Sequence, residues 1–219
     1  MNKEWSELNK SMQMQIKSES SFRKGLDTLF TLRKQLTDEL FRFKNEVSRD
    51  DFNAMPFINA DGYHSKTIAY SIWHIFRIED IVAHSLINGD GQILFSKNYR
   101  ERIGSPIITT GNELVKRQIA VFSEALDIEE LYSYILDVKN STENILKAMS
   151  FSDMKRKFPE ETKEHLKSLN VVSPHENAVW LINYWCKKDI RGLIQMPFSR
   201  HWIMHVEASL RIENKLKSV

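Results

Sequence analysis

The amino-acid sequence predicts an all-α protein, a four-helix bundle with short additional helices, and three observations carry that prediction. Gly and Pro are scarce, 7 and 5 of 219 residues, where an average chain carries about 12% of the two together. Apolar residues recur at three- and four-residue spacing over long stretches, the period of a helix with one buried face. Helix-start signals stand ahead of several of these stretches. Hydrophobic residues at 42% are ample for a core, so a disordered chain is excluded. The low Gly and Pro content argues against a turn-rich sandwich or a glycine-loop nucleotide fold.

The first long helix begins at Phe22, where Phe22, Leu26, Leu29, Leu36, Leu40, Phe43 and Val47 share one stripe. Arg33 takes a place where that stripe expects an apolar residue. Ahead of it, Trp5, Leu8 and Met12 keep helical spacing, which allows either a separate leading helix or an extension of the first. The segment Met55 to Lys66 contains Pro56 and Gly62 and reads as a connection. Thr67 to Leu86 is then apolar on nearly every side, the mark of a helix buried on most faces. Asn88, Gly89, Asp90 and Gly91 end it, and the residues to Gly111 read as a long loop with at most brief helices.

Thr110 with Glu113 forms a capping-box pattern for a helix to about Ala125, and Asp127 with Glu130 resembles a second one. Ile128, Leu131, Ile135, Val138, Ile145 and Met149 make the stripe of that next helix. A polar, basic stretch from Lys155 to Asn170 separates it from Ser173-Pro174-His175-Glu176, read as capping Ser, Pro at the first helical position and Glu three residues on. Gly192 and Pro197 suggest a break, with Pro197 opening a last helix to about Lys217. No internal repeat, low-complexity tract or long linker divides the chain, so residues 1–219 read as a single helical-bundle domain.

Composition narrows the function. Lys and Arg number 31 against 29 acidic residues, a net charge of +2, which supplies no broad field for nucleic acid or an anionic membrane. The aromatic residues sit in apolar stripes, not among interleaved Arg and Lys, so core packing explains them better than base stacking. No uncharged stretch exceeds ten residues, and the N-terminus lacks the apolar core of an export signal, so neither a spanning helix nor secretion is expected. Cys186 is the sole cysteine, which excludes an intrachain disulfide and a Cys-rich zinc site and fits a cytoplasmic protein. Next to Lys187 and Lys188, with no base apparent nearby, it reads as a small core residue.

The chemistry-bearing residues are histidines. His201 and His205 lie four apart, which on a helix puts both imidazoles on one face, about 40° apart and roughly 6 Å along the axis. Two nitrogens so placed can share a metal ion. Trp202 stands where a zinc protease of the HExxH type has its glutamate, so peptide hydrolysis is not supported. His74 falls in the middle of the apolar second helix and needs a partner there, a neighbouring Tyr or carboxylate, or His201 and His205 across the core. Tyr70 is about 40° from it on the same face, and Glu79 about 140° away. Three imidazoles on one cation leave coordination positions open, and lower the pKa of a bound water to about 7 when the ion is zinc. His64, His84, His165 and His175 read as surface or capping residues.

These residues carry a resemblance. His74-Ile75-Phe76-Arg77-Ile78-Glu79 resembles the HLxxxE pattern on the second helix of the DinB/YfiT-like family, and His201-x-x-x-His205 sits where that family carries its HxxxH. Asn98-Tyr99-Arg100-Glu101-Arg102-Ile103-Gly104 resembles its aromatic-x-x-R-hydrophobic-G element. The chain differs from the family in having His205-Val206-Glu207-Ala208 where HRGQ is common, and in a longer segment from Met149 to Val172. The resemblance implies a four-helix bundle whose three histidines, here His74, His201 and His205, bind a divalent metal ion, with zinc or nickel foremost. It also implies a small electrophilic substrate attacked by a thiol or water, with thiol S-transfer slightly preferred over hydrolysis and a low-molecular-weight thiol as cosubstrate. No catalytic side chain is singled out beyond the ligands. A homodimer is compatible with the exposed faces of such a bundle, and neither nucleic acid nor a membrane is an expected partner. The other class of function is a non-catalytic, stress-related helical binding protein whose histidines are structural.

Overall fold

The computed structural model describes residues 2–218 and is all-α, with no strand among the described residues. The leading segment is a separate helix, α1 (Lys3–Gln15), packed along α2 (Phe22–Glu46). Gly25 explains how closely the two meet. A Cβ there would lie 2.6 Å from Ile16 Cγ2 and 2.9 Å from the Ile16 backbone nitrogen, so a side chain at 25 would push the turn after α1 off α2. A short α3 (Arg49–Asn53) follows, capped by the Ser48 hydroxyl.

Thr67 starts α4 (Ile68–Asp80) by accepting from the Tyr70 backbone N–H, and every residue of α4 is buried, as its all-round apolar pattern requires. The helix widens into a π-helical stretch, Ile81–Asn88, and stops at Gly89 with φ +70°, a conformation glycine adopts without a Cβ penalty. The long loop carries two brief helices, α5 (Ile93–Ser96) and α6 (Tyr99–Ile103).

The expected helix start at Thr110 is overturned. The next helix, α7 (Arg117–Ala125), begins seven residues later, and residues 111 and 116 have φ of +78° and +49°, outside helical space. The Thr110 hydroxyl donates to Asn112 Oδ1, and the Glu113 carboxylate accepts from the Thr109 hydroxyl, so both box residues are used within the loop. Asp127 behaves as expected: its carboxylate accepts from Glu130 N at 3.0 Å and opens α8 (Ile128–Ala148).

The polar stretch after α8 contains a helix, α9 (Glu160–Ser168), which buries only Leu166 and so left almost no apolar period to read. In α10 (Glu176–Cys186) the cap is His175, whose Nδ1 accepts from Asn177 N, two residues later than the expected Ser173. After α11 (Ile190–Gln195), Pro197 lies in a π-helical turn, Met196–Arg200, which leads into α12 (His201–Lys217). The proline thus opens the last helical run, one wide turn before regular geometry is reached.

Among the long helices, α4 packs on α8 and α12, and α2 also packs on α8 and α12. The π-helical turn Met196–Arg200 and the turn Gly62–His64 lie against α4 and α12 respectively. Those two irregular turns border the site described next. No described helix is long and apolar enough to cross a membrane.

Candidate metal centre

His74, His201 and His205 meet. Their ring centroids are 5.0 Å (74–201), 4.8 Å (74–205) and 4.7 Å (201–205) apart, and one nitrogen from each ring lies within 4.8 Å of the others. All three side chains are buried. The α4–α12 contact brings His74 opposite the paired rings, and the i,i+4 spacing puts His201 and His205 on the face of α12 turned towards α4.

Hydrogen bonding fixes one ring and leaves the others free. His74 Nδ1 lies 2.7 Å from the Thr110 carbonyl oxygen, and since a carbonyl can only accept, Nδ1 carries the proton and Nε2 presents a lone pair. His201 Nδ1 and both ring nitrogens of His205 are buried with no hydrogen-bond partner. A buried polar atom left unsatisfied costs on the order of 1–3 kcal/mol, so such a cluster of unpaired ring nitrogens is expensive unless something binds it. Burial lowers the pKa of His74 to about 4, and it drives His201 and His205 well below the ordinary value, assisted by the neighbouring rings. All three rings are therefore neutral at pH 7, the state in which imidazole is a metal ligand.

Around the rings lies a pocket of about 730 Å³, in the size range of small-molecule sites. Tyr70 stacks on His74 at 5.4 Å with an interplanar angle of 11° and donates from its hydroxyl to the Gly111 carbonyl. Tyr63 meets His205 edge-on at 4.8 Å, and burial raises its pKa. Trp180, Leu181, Tyr184 and Trp185 of α10, with Met196 and Pro197, form much of the remaining wall, and Lys66, Asn112 and Asn177 contribute polar groups.

One shell further out, the stripe position occupied by Arg33 finds its explanation. Arg33 donates to both oxygens of Glu79 (2.7 and 3.0 Å), to Glu143 (3.2 Å) and to the Phe198 carbonyl (3.1 Å), all buried. Trp202 Nε1 donates to Glu79 Oε2 at 2.9 Å, and the Arg33 guanidinium lies 4.2 Å from the Trp202 ring centroid. Trp202, between the two histidines of α12, is thereby clamped to α4 one turn beyond His74. Glu79 is thus an anchor for the helix that carries His201 and His205, not a partner of His74.

The remaining histidines lie outside the cluster. His84 is buried, contrary to the surface or capping role expected for it, and its Nδ1 pairs with Asp90 at 2.7 Å. His175 caps α10, His165 is in α9, and His64 lies edge-on to Phe57. Burial raises the pKa of the half-buried Cys186 thiol, which does not line the pocket. Gly104 ends α6 at φ +69°, and Tyr99 donates to Asp137 at 2.7 Å, so the Asn98–Gly104 element packs on α8 away from the histidines. Thr110, Tyr63, Lys66 and the α10 aromatics escaped the sequence reading. A backbone carbonyl leaves no residue-type signal, Tyr63 and Lys66 fall in a connecting segment with no helical period to say which way they face, and the α10 aromatics precede the His201–His205 pair on a separate helix.

No family model matches the chain, and no curated protein matches it. Among solved structures, the fold is similar to that of a conserved protein from Enterococcus faecalis, with a TM-score of 0.58 at 12% identity, over 85% of this chain and 93% of that one. That likeness speaks for the fold alone. The chain is thus an all-helical protein with a buried three-histidine group that can hold a metal ion.

Proposed function

We propose that the protein is a metal-dependent enzyme on a four-helix bundle of the DinB/YfiT-like type, in which His74, His201 and His205 hold one divalent ion, zinc or nickel. The observation that carries this reading is the convergence of three neutral, buried imidazoles whose free nitrogens have no protein partner. The donor set fits a late divalent ion, and three ligands leave open positions. An ion held there supplies Lewis acidity that brings a thiol or water towards ionisation near neutral pH. The chain's own residues do the rest. The Thr110 carbonyl fixes the His74 tautomer, Tyr70 and Tyr63 hold the rings by face and edge contacts, and the Glu79–Trp202 bond holds α12 in register. The aromatic wall receives the apolar part of a small electrophile. Thiol S-transfer, with a low-molecular-weight thiol as cosubstrate, is preferred over hydrolysis on the resemblance of the histidine pattern.

Elemental analysis of protein made without a polyhistidine tag tests the reading. About one equivalent of metal per chain is expected, falling to background in His74→Ala and in His205→Ala, both still helical by circular dichroism. Negligible metal in the unaltered chain would make the histidines structural. A thiol-transfer assay with a generic electrophile then separates transfer from hydrolysis.

A further inference from the structure

The pocket contains a cation without a counter-charge. Lys66 lines it half-buried, and among the described residues its ammonium has no carboxylate within ion-pair distance. Its Nζ lies 5.1 Å from the centroid of the Tyr70 ring. Lys139, whose side chain is also largely buried, meets Glu143 at 2.9 Å. Asp61 lines the same pocket from an exposed position and does not pair with Lys66. Burial lowers the Lys66 pKa, the response of an ammonium that has lost water and gained no anion.

Lys66 is also in register with the histidines. The Tyr70 ring beside it stacks on His74, and the ammonium charge is felt at His74 and His205, so the cation stands beside the three-histidine group. The same pocket has an aromatic wall with area to spare: Trp180 is 48% exposed and sits edge-on to Tyr184 at 5.6 Å.

We infer that the pocket takes a small anionic ligand with an aromatic or apolar body, its carboxylate on Lys66, its body against Trp180 and Tyr184, and its far end at the three histidines. The inference rests on reading this pocket as the substrate site. It names a substrate class for that site, and its recognition step does not need the metal. Charge-assisted pairing in a partly desolvated pocket favours an acid over its uncharged isostere by roughly tenfold or more.

The test is calorimetric titration of the full, metal-stripped chain with 4-phenylbutanoate and with 4-phenylbutanamide at pH 7. The acid should bind at least tenfold tighter. Lys66→Met should erase that preference, Lys66→Arg should keep most of it, and His74→Ala should leave it in place. Thermal melts confirm that each variant is folded. Equal binding of acid and amide, no binding of either, or a preference that survives Lys66→Met would overturn the inference. Metal uptake on the same preparations keeps the two readings apart: a chain that binds no metal yet prefers the acid retains the anion subsite and loses the metal centre. A chain that takes up metal and shows no preference does the reverse.

Discussion

Two buried polar clusters share α4 and α12, and they are finished in opposite ways. At Glu79, every buried charge has its partners: two Arg33 nitrogens and Trp202 Nε1 satisfy the carboxylate, while Glu143 and the Phe198 carbonyl accept from two further N–H groups of Arg33. At His74, less than two turns away on the same helix, only the Nδ1–H is satisfied, and the rings it faces keep three unpaired nitrogens. Both clusters are buried, so desolvation alone does not distinguish them. What distinguishes them is completeness. A core that satisfies its polar groups at one site and leaves ring nitrogens open at the next is built to hold something at the second.

The sharpest way to break this contrast is at the closed cluster. Glu79→Ala strands the Arg33 guanidinium in the core, and a loss of roughly 3–5 kcal/mol in unfolding free energy is expected by urea denaturation. The paired replacement Arg33→Met with Glu79→Met removes both charges and should cost much less than the single change. If the two variants are equally destabilised, the pair holds no strong coupling.

The open cluster should respond in the opposite sense. His205→Leu deletes two buried nitrogens that have no partner, so in metal-stripped protein stability should hold steady or rise by about 1 kcal/mol. With metal added, the unaltered chain should gain melting temperature and the variant should not. A loss above about 2 kcal/mol in the stripped variant would show that the ring is a structural element like Glu79.

A third cluster, near the C-terminal end of α12, centres on a buried carboxylate whose basic partners reach solvent; it gives the smallest effect and calibrates the other two. Glu213 accepts from Arg42 at 2.6 and 2.8 Å and from Lys217 at 2.7 Å, and the Arg42 bonds above all lower its pKa to about 2 from an ordinary 4.5. A carboxylate whose pKa is depressed in the fold stabilises above its unfolded value and loses that contribution as pH falls through the folded one. Because Arg42 and Lys217 both reach solvent and a glutamine keeps part of the hydrogen bonding, Glu213→Gln should cost about 0.5–1 kcal/mol at pH 7, less than the pKa displacement alone implies, with the difference from the unaltered chain fading between pH 4.5 and 2. A gap that stays constant over that range would place its origin in packing.

The residues that could be read from sequence are those whose signal is local. Asp127 caps α8 because its partner N–H is three residues away, and the α2 and α4 patterns were visible because each helix buries its own stripe. The histidine spacing was legible for the same reason. The Thr110–Glu113 pattern misled because cap residues are also loop residues: both side chains found partners inside the loop while the Thr110 carbonyl turned to His74. α9 escaped because a helix that buries one leucine has little period to show. Arg33 was visible as an interruption in an apolar stripe, yet its partner Glu79 is 46 residues away, and only the packing of α2 on α12, which itself packs on α4, brings them together.

The central claim is that three imidazoles from two helices converge on one cation. X-ray absorption at the zinc edge of the chain loaded with one equivalent counts those ligands directly. The account predicts three imidazole nitrogens at roughly 2.0–2.1 Å, with the count falling in His74→Ala. A shell of light oxygen scatterers with one imidazole or none, unchanged by that substitution, would contradict it.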